Sequence, residues 1–178
     1  DPLIPYHFNK DDLSGKKKDK IELIKNLGLS ITPGVPIIGM VTRLTEQKGL
    51  YLVKYMLDEI MCTENVAFVI LGTGDYEYEE FFRYMENKYK EKVCSYIAYD
   101  NAIAHQIYAA SYLFLMPSKF EPCGISQMIA LRYGTLPIVR ETGGLRDTVQ
   151  SYNEYEDTGN GFSFANYNAH EMLGAIRY

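Results

Sequence analysis

Tyr112-Leu-Phe-Leu-Met-Pro-Ser-Lys-Phe-Glu-Pro-Cys-Gly-Ile-Ser-Gln-Met-Ile-Ala-Leu-Arg-Tyr133, with Leu136-Pro-Ile-Val-Arg140 and Glu141-Thr-Gly-Gly-Leu145 behind it, holds one full cycle of the alternation that decides the fold. Tyr112 to Met116 is a short continuous apolar run, the pattern of a strand buried on both faces. Pro117 through Gly124 punctuates it, and residues 125–133 read as a helix. Leu136 to Arg140 is the next strand, and Thr142-Gly143-Gly144 turns the chain toward a helix over residues 145–151. Strand, turn and helix in this order put free helix amides beside strand ends, where open α/β sheets receive anionic ligands.

The same alternation extends outward in both directions. Upstream, residues 18–27 read as a helix with Ile21, Ile24 and Leu27 on one face and Gly28 as its stop. Residues 36–42 form a strand. Thr45 is placed to cap a helix carrying Leu50, Val53, Leu57 and Ile60 at helical spacing. Residues 66–71 are a second strand, ended by Gly72-Thr73-Gly74. A charged, Tyr-rich helix over 75–92 offers Phe81, Phe82 and Met85 to the core. Residues 93–99 are a third strand and 102–111 a helix. Downstream, 153–160 is a polar loop, 161–164 a short sixth strand and 170–177 a final helix. Strands alternating with helices imply a doubly wound, parallel, Rossmann-like α/β sheet with right-handed crossovers. The pattern leaves strand order open. Residues 1–35 read as a linker and leading helix, and residues 36–178 as the Rossmann-like domain. The abrupt start at Asp1-Pro2 reads as a linker, so the chain is expected to be truncated at both ends.

Composition excludes several function classes. A length of 178 residues suits one domain, and 47% hydrophobic with 23% charged residues is ordinary for a globular protein. The formal net charge of −5 disfavours nucleic acid and anionic membrane as partners. Lys16-Lys17-Lys18 is a local basic run that reads as a solvated approach to the first helix. The three cysteines, Cys62, Cys94 and Cys123, are odd in number and widely spaced, which argues against a disulfide framework or zinc site. No apolar run reaches the length of a membrane span. His7, His105 and His170 are scattered singly and read as surface or satisfied residues, so no metal is expected.

Several residues have the position and type to carry chemistry. Arg43 follows a strand end, and Lys48 falls in the first turn of the next helix, where the dipole disfavours a cation unless an anion binds. The alternative is a pair of surface cations beside Glu46. Gly72 and Gly74 form a Gly-x-Gly turn without the third glycine of a dinucleotide fingerprint, so a plain tight turn is the better reading of the residues alone. Tyr99 ends a strand and reads as a half-buried aromatic. Glu121, between Phe120 and Pro122, is either a partly desolvated carboxylate with a specific partner or a complement to a helix dipole. Glu141 and Asp147 offer a hydrolase-type carboxylate pairing with Glu121, which sequence distance cannot place. Cys123 reads as a small buried hydrophobe with no base partner, not a nucleophile.

Phe120-Glu-Pro-Cys-Gly124, Thr142-Gly-Gly-Leu145 and Thr42-Arg-Leu-Thr-Glu-Gln-Lys-Gly-Leu50 closely resemble segments of the bacterial glycogen synthases and plant starch synthases. The resemblance runs over almost the whole chain. It implies the C-terminal, donor-binding half of a two-domain GT-B glycosyltransferase. Such a protein transfers glucose from ADP-glucose, or UDP-glucose in relatives, to the non-reducing end of an α-1,4-glucan, with retention and without a cofactor or metal. It implies that Arg43 and Lys48 grip the donor diphosphate, and that Gly72 and Gly74 lie near the nucleotide. Tyr99 lies against the base. Glu121 contacts the transferred glucose and takes part in catalysis. Cys123, Gly124, Ile125 and Ser126 border the phosphates, with amides to offer. The family's N-terminal domain, with its Lys-Thr-Gly-Gly-Leu motif, is absent here, and Thr142-Gly-Gly-Leu145 is only a look-alike. The implied partners are ADP or ADP-glucose, the glucan and that missing domain. The implied location is cytoplasmic, or the plastid in a plant. The chain alone is expected to be inactive. Two rivals stand beside this reading: a sucrose synthase-like GT-B enzyme, and a nucleotide-binding module without catalysis.

Overall fold

The computed structural model describes residues 14–29, 31, 34–98, 100–118, 129–131, 133, 135–140, 162–164, 172 and 176. In chain order these form α1 (Ser14–Leu27), β1 (Ile37–Val41), a 3-10 turn (Glu46–Lys48), α2 (Leu50–Thr63), β2 (Ala67–Leu71), α3 (Tyr76–Lys88), β3 (Val93–Tyr96), α4 (Asn101–Ala110), β4 (Leu113–Met116), β5 (Leu136–Arg140) and β6 (Phe162–Phe164). Residues 129–131 are helical, within the helix expected over 125–133. The helix expected over 145–151 and the loop over 153–160 lie outside the described residues.

The six strands pair in parallel in the order β3-β2-β1-β4-β5-β6. The chain therefore builds outward from β1 to β3, returns to place β4 on the other side of β1, and builds outward again. The reversal between β1 and β4 is the switch point at which doubly wound sheets open a crevice.

The strand pattern explains why both faces are covered. Alternate side chains point to opposite faces. Ile38, Met40, Phe68, Ile70, Leu113 and Leu115 enter one core with the apolar sides of α2 and α3. Ile37, Val69, Leu71, Phe114 and Met116 enter a second core with α4 and with Leu23 of α1. A run that serves two cores has no polar face, which is why it reads as uninterrupted apolar sequence. Gly39 sits on the α4 side of β1. A Cβ there would meet Ser111 Oγ and come within 2.9 Å of Ile107 Cγ2. Its absence lets α4 lie against the sheet.

Several boundaries differ from the sequence expectation. α1 begins at Ser14, so Lys16 and Lys17 lie inside the helix rather than on a solvated approach to it. Lys16 is partly buried, and its Nζ donates to the carbonyl of Ala109 at 2.7 Å and to Thr135 Oγ1 at 2.8 Å. It thereby satisfies carbonyls that the C-terminus of α4 leaves without helical partners. Lys92 does the same for α2, through Met61 O at 2.7 Å and Glu64 O at 3.1 Å. α3 stops at Lys88 and β3 at Tyr96, both short of the expected ends. Phe82 and Met85 are buried as expected, Phe81 only partly, and Tyr78 joins them.

Candidate functional site

β1 and β2 continue in contact beyond their formal ends, and this continuation builds the site. Thr42 N donates to Leu71 O at 3.1 Å, Leu44 N to Thr73 O at 2.9 Å, and Asp75 N to Leu44 O at 2.9 Å. Two glycines make the approach possible. A Cβ on Gly72 would overlap the carbonyl oxygen of Thr42, and one on Gly74 that of Leu44. Their primary demand is thus close backbone approach, which agrees with the tight-turn reading. Gly74 N also donates to Glu79 Oε2 at 3.0 Å.

A cavity of about 270 Å³ opens where these strands end. Val41, Thr42 and Arg43 follow β1 along one wall, and Leu71, Gly72 and Thr73 follow β2. α4 closes it with Asp100, Asn101, Ala104, His105 and Tyr108, and Ile129 also lines it. Most of this lining is apolar or neutral. Arg43 is exposed at the lip and Asp100 holds the N-cap of α4, accepting from Ile103 N at 3.1 Å through Oδ1. A cavity with apolar walls, a few convergent polar groups and one cation at the rim suits a ligand with a flat apolar part and an anionic part.

Arg43 and Gly72 are brought to this cavity, whereas Lys48 and Gly74 do not line it. Lys48 corrects the sequence reading. It is not in the first turn of α2 but ends the 3-10 turn before it, and Thr45 heads that turn without a side-chain cap. Gly49 then reverses the chain at φ +81°, and a Cβ there would overlap the carbonyl oxygen of Pro117. The start of α2 is therefore seated against the exit of β4, at the switch point. Tyr99, Glu121, Cys123, Gly124, Ile125, Ser126, Glu141 and Asp147 lie outside the described residues.

Sequence reading missed the contribution of α4. His105, read as a surface or satisfied residue, has Nδ1 2.9 Å from Tyr133 Oη and stands edge-on to Tyr108 and Tyr133. It is satisfied, yet it also forms part of the cavity wall. The available signal was the spacing Asp100-Asn101-Ala-Ile-Ala-His105-Gln-Ile-Tyr108, which sets residues of one helical side toward the strand ends. Cys94 is buried in β3, and desolvation, then the charge and hydrogen bond of Glu86, push its thiol up to about 12. It is no nucleophile at neutral pH. No helix among the described residues is long and apolar enough to cross a membrane.

A parallel doubly wound sheet with this cavity at the ends of β1 and β2 defines a Rossmann-like α/β domain, and its solved structural neighbours are GT-B glycosyltransferases. The profile of the family described as Glycosyl transferases group 1 matches residues 19–178, and the chain belongs to that family. It is 56% identical to a glycogen synthase of Lachnospira eligens over 100% of this chain and 37% of the relative. It is 52% identical to a glycogen synthase of Bacillus subtilis over 99% of this chain and 36% of the relative. The chain thus spans little more than a third of the length of these curated relatives. Among solved structures, the catalytic domain of starch synthase IV from Arabidopsis thaliana, bound to ADP and acarbose, matches with a TM-score of 0.89 and 38% identity. That match covers 99% of this chain and 37% of the other.

Proposed function

We propose that this chain is the donor-binding domain of a glycogen or starch synthase, which moves glucose from ADP-glucose to the non-reducing end of an α-1,4-glucan with retention. The observation that carries the reading is the 56% identity to a glycogen synthase across the whole of this chain. The cavity agrees in chemistry. Its apolar walls suit a base and ribose, and Arg43 at the lip suits a diphosphate.

In this reading each residue answers to a charge. Transfer develops positive charge at the sugar carbon and negative charge on the departing diphosphate. Arg43 and Lys48 stabilise the leaving group as fixed cations, with amides near Gly124, Ile125 and Ser126 as further donors. Glu121 orients the glucose and offsets the cation, and Tyr99 lies against the base. Cys123 lines the same turn without acting as a nucleophile. Residues 1–35 lead in from the preceding domain and 36–178 form the donor domain. Closure of the two domains excludes water, which favours transfer over hydrolysis. The acceptor surface, and hence turnover, belongs to the longer polypeptide. Its compartment is the cytoplasm.

The deciding experiment is glucosyl incorporation from ADP-glucose into glycogen by the full-length protein, with UDP-glucose in parallel. Incorporation with ADP-glucose is the expected result. An enzyme that uses neither donor, or a protein that binds ADP and never transfers, would end the proposal.

A further inference from the structure

Three aromatic rings join α4 to residues 129–133 beside the cavity. His105 and Tyr108, three residues apart on α4, both line the cavity, as does Ile129. Tyr133 completes the group. The rings of Tyr108 and Tyr133 stack with planes 4° apart and centroids 6.2 Å apart. His105 stands edge-on to both at 83°, 6.2 Å from Tyr108 and 6.1 Å from Tyr133. The three centroids thus make a nearly equilateral triangle, in which each ring meets the others in an arrangement that aromatic quadrupoles favour. A polar contact fixes the figure, because His105 Nδ1 lies 2.9 Å from Tyr133 Oη. Tyr108 is itself steadied by the sheet, with its ring 4.8 Å from that of Phe114 in β4.

The His105–Tyr133 contact is the second attachment of this segment to α4. The first is at Thr135, which is buried and whose Oγ1 donates to Tyr108 O at 2.6 Å and to Ser111 O at 3.0 Å. Thr135 N donates to Ala130 O at 2.9 Å and Tyr133 N to Ile129 O at 3.2 Å, so these residues form one hydrogen-bonded unit. A single attachment at Thr135 fixes where the unit sits and leaves its angle open. A second one, reaching one turn back along α4 to His105, closes that freedom. The angle has a use. Ile129, at the leading end of the unit, lines the cavity, and Glu121 to Ser126 precede it by a few residues in the chain. Reaction rates are steep in such placement, since an error of about 1 Å can cost about 10²-fold.

We infer that His105 and Tyr133 are a positioning pair, which sets the angle at which the segment following Glu121 meets the cavity. They act through the placement of that segment and not on the transferred sugar. The part given to Glu121 rests on the reading under Proposed function, whereas the link between cavity and segment stands apart from it.

The test uses the full-length protein with Tyr133→Phe, His105→Leu, the two combined, and His105→Asn, whose amide can take the place of Nδ1. Tyr133→Phe removes one oxygen and keeps the ring, its stack on Tyr108 and the Thr135 attachment, so the fold is retained. Glucosyl transfer from ADP-glucose to glycogen is measured per ADP-binding site, counted by calorimetry, so that misfolded protein does not enter the rate. kcat is expected to fall about ten-fold in Tyr133→Phe and in His105→Leu, and no further in the combined variant. His105→Asn should stay within about three-fold of wild type, and in Tyr133→Phe the Kd for ADP and the KM for ADP-glucose should move by less than about three-fold. A normal kcat per site in Tyr133→Phe, losses that multiply in the combined variant, or an ADP affinity that falls as far as the rate would each overturn the inference. Hydrogen exchange reads the link without any transfer. ADP should slow exchange in peptides covering Ile129 to Thr135 in wild type and His105→Asn, and fail to do so in Tyr133→Phe at equal saturation. No ADP-dependent change in wild type would also overturn the inference. The expected exchange pattern in a protein that transfers no glucose would leave the pair standing and remove the synthase reading instead.

Discussion

At Arg43 the question is whether one guanidinium at the mouth of a cavity serves a ligand or only the solvent. Its position beside Gly72 and Thr73 ties it to the space that a nucleotide would fill. Arg43→Ala is expected to weaken ADP binding by about 1.5–3 kcal/mol, roughly ten-fold or more, and to leave adenosine binding nearly unchanged. Calorimetric titrations with both ligands check this, and equal losses for the two would point to a structural role. Glu121→Gln in the full-length protein keeps shape and hydrogen-bonding capacity but removes charge. Here kcat is expected to fall about 10²-fold with little change in ADP affinity. A near-normal kcat would take Glu121 out of the mechanism. The cysteines divide by environment. Burial and Glu86 hold the Cys94 thiol near 12, while Cys62 is exposed. Peptide mapping after iodoacetamide at pH 8 should find Cys62 modified and Cys94 protected until denaturant is added.

Among the elements, α1 is tied to α4 by a lysine that has lost much of its water. Burial lowers Lys16 to about 8, against a partly opposing pull from Asp19. The sign follows from proton counting. Between about 8 and the ordinary lysine value near 10.5 the unfolded chain binds more protons than the folded one, so stability rises with pH in that window. Urea unfolding at pH 7.5 and pH 10 should show wild type gaining on Lys16→Met, which lacks this titration. A flat difference between them would mean that the ammonium is better hydrated than its burial implies. Two glycines at positive φ give a second contrast. Gly28 has φ +68° and nothing within 4 Å of a built Cβ, whereas Gly49 has φ +81° and the Pro117 carbonyl in the way. Gly28→Ala should cost about 1–2 kcal/mol from backbone conformation alone. Gly49→Ala should cost clearly more, since the start of α2 must also move off the exit of β4.

For the molecule as a whole, the switch point organises everything placed near it. β1, β2 and α4 supply the cavity, and Gly49 seats the head of α2 against Pro117, the residue from which the chain runs on toward Glu121. On the reading given under Proposed function, the 178-residue chain by itself is expected to bind ADP weakly and to incorporate no glucose. Titration and an incorporation assay on the chain alone test both parts. Robust incorporation by the chain alone would refute that expectation.

Much of this architecture was legible in the residues themselves. Short runs such as Ala67-Phe-Val-Ile-Leu71 are apolar at every position because each serves two cores, and that pattern marks a parallel sheet before any contact is known. The inward positions of α2 were legible for the same reason, since Leu50, Val53, Leu57 and Ile60 recur with the helical period. That Arg43 lines the cavity was foreshadowed by its place just past a strand end. Lys16 was misread because nothing local distinguishes it from Lys17. Only the packing of α1 on α4 brings it to the carbonyl of Ala109, 93 residues away. His105 was passed over because α4 must first be docked before one of its sides faces the ends of β1 and β2. Periodicity and local propensity are properties of neighbours along the chain, and the sequence by itself determines them. Strand order, the switch point between β1 and β4, and the gathering of Arg43, Gly72 and α4 around one cavity depend on contacts between residues far apart in the chain. Only the tertiary structure decided those.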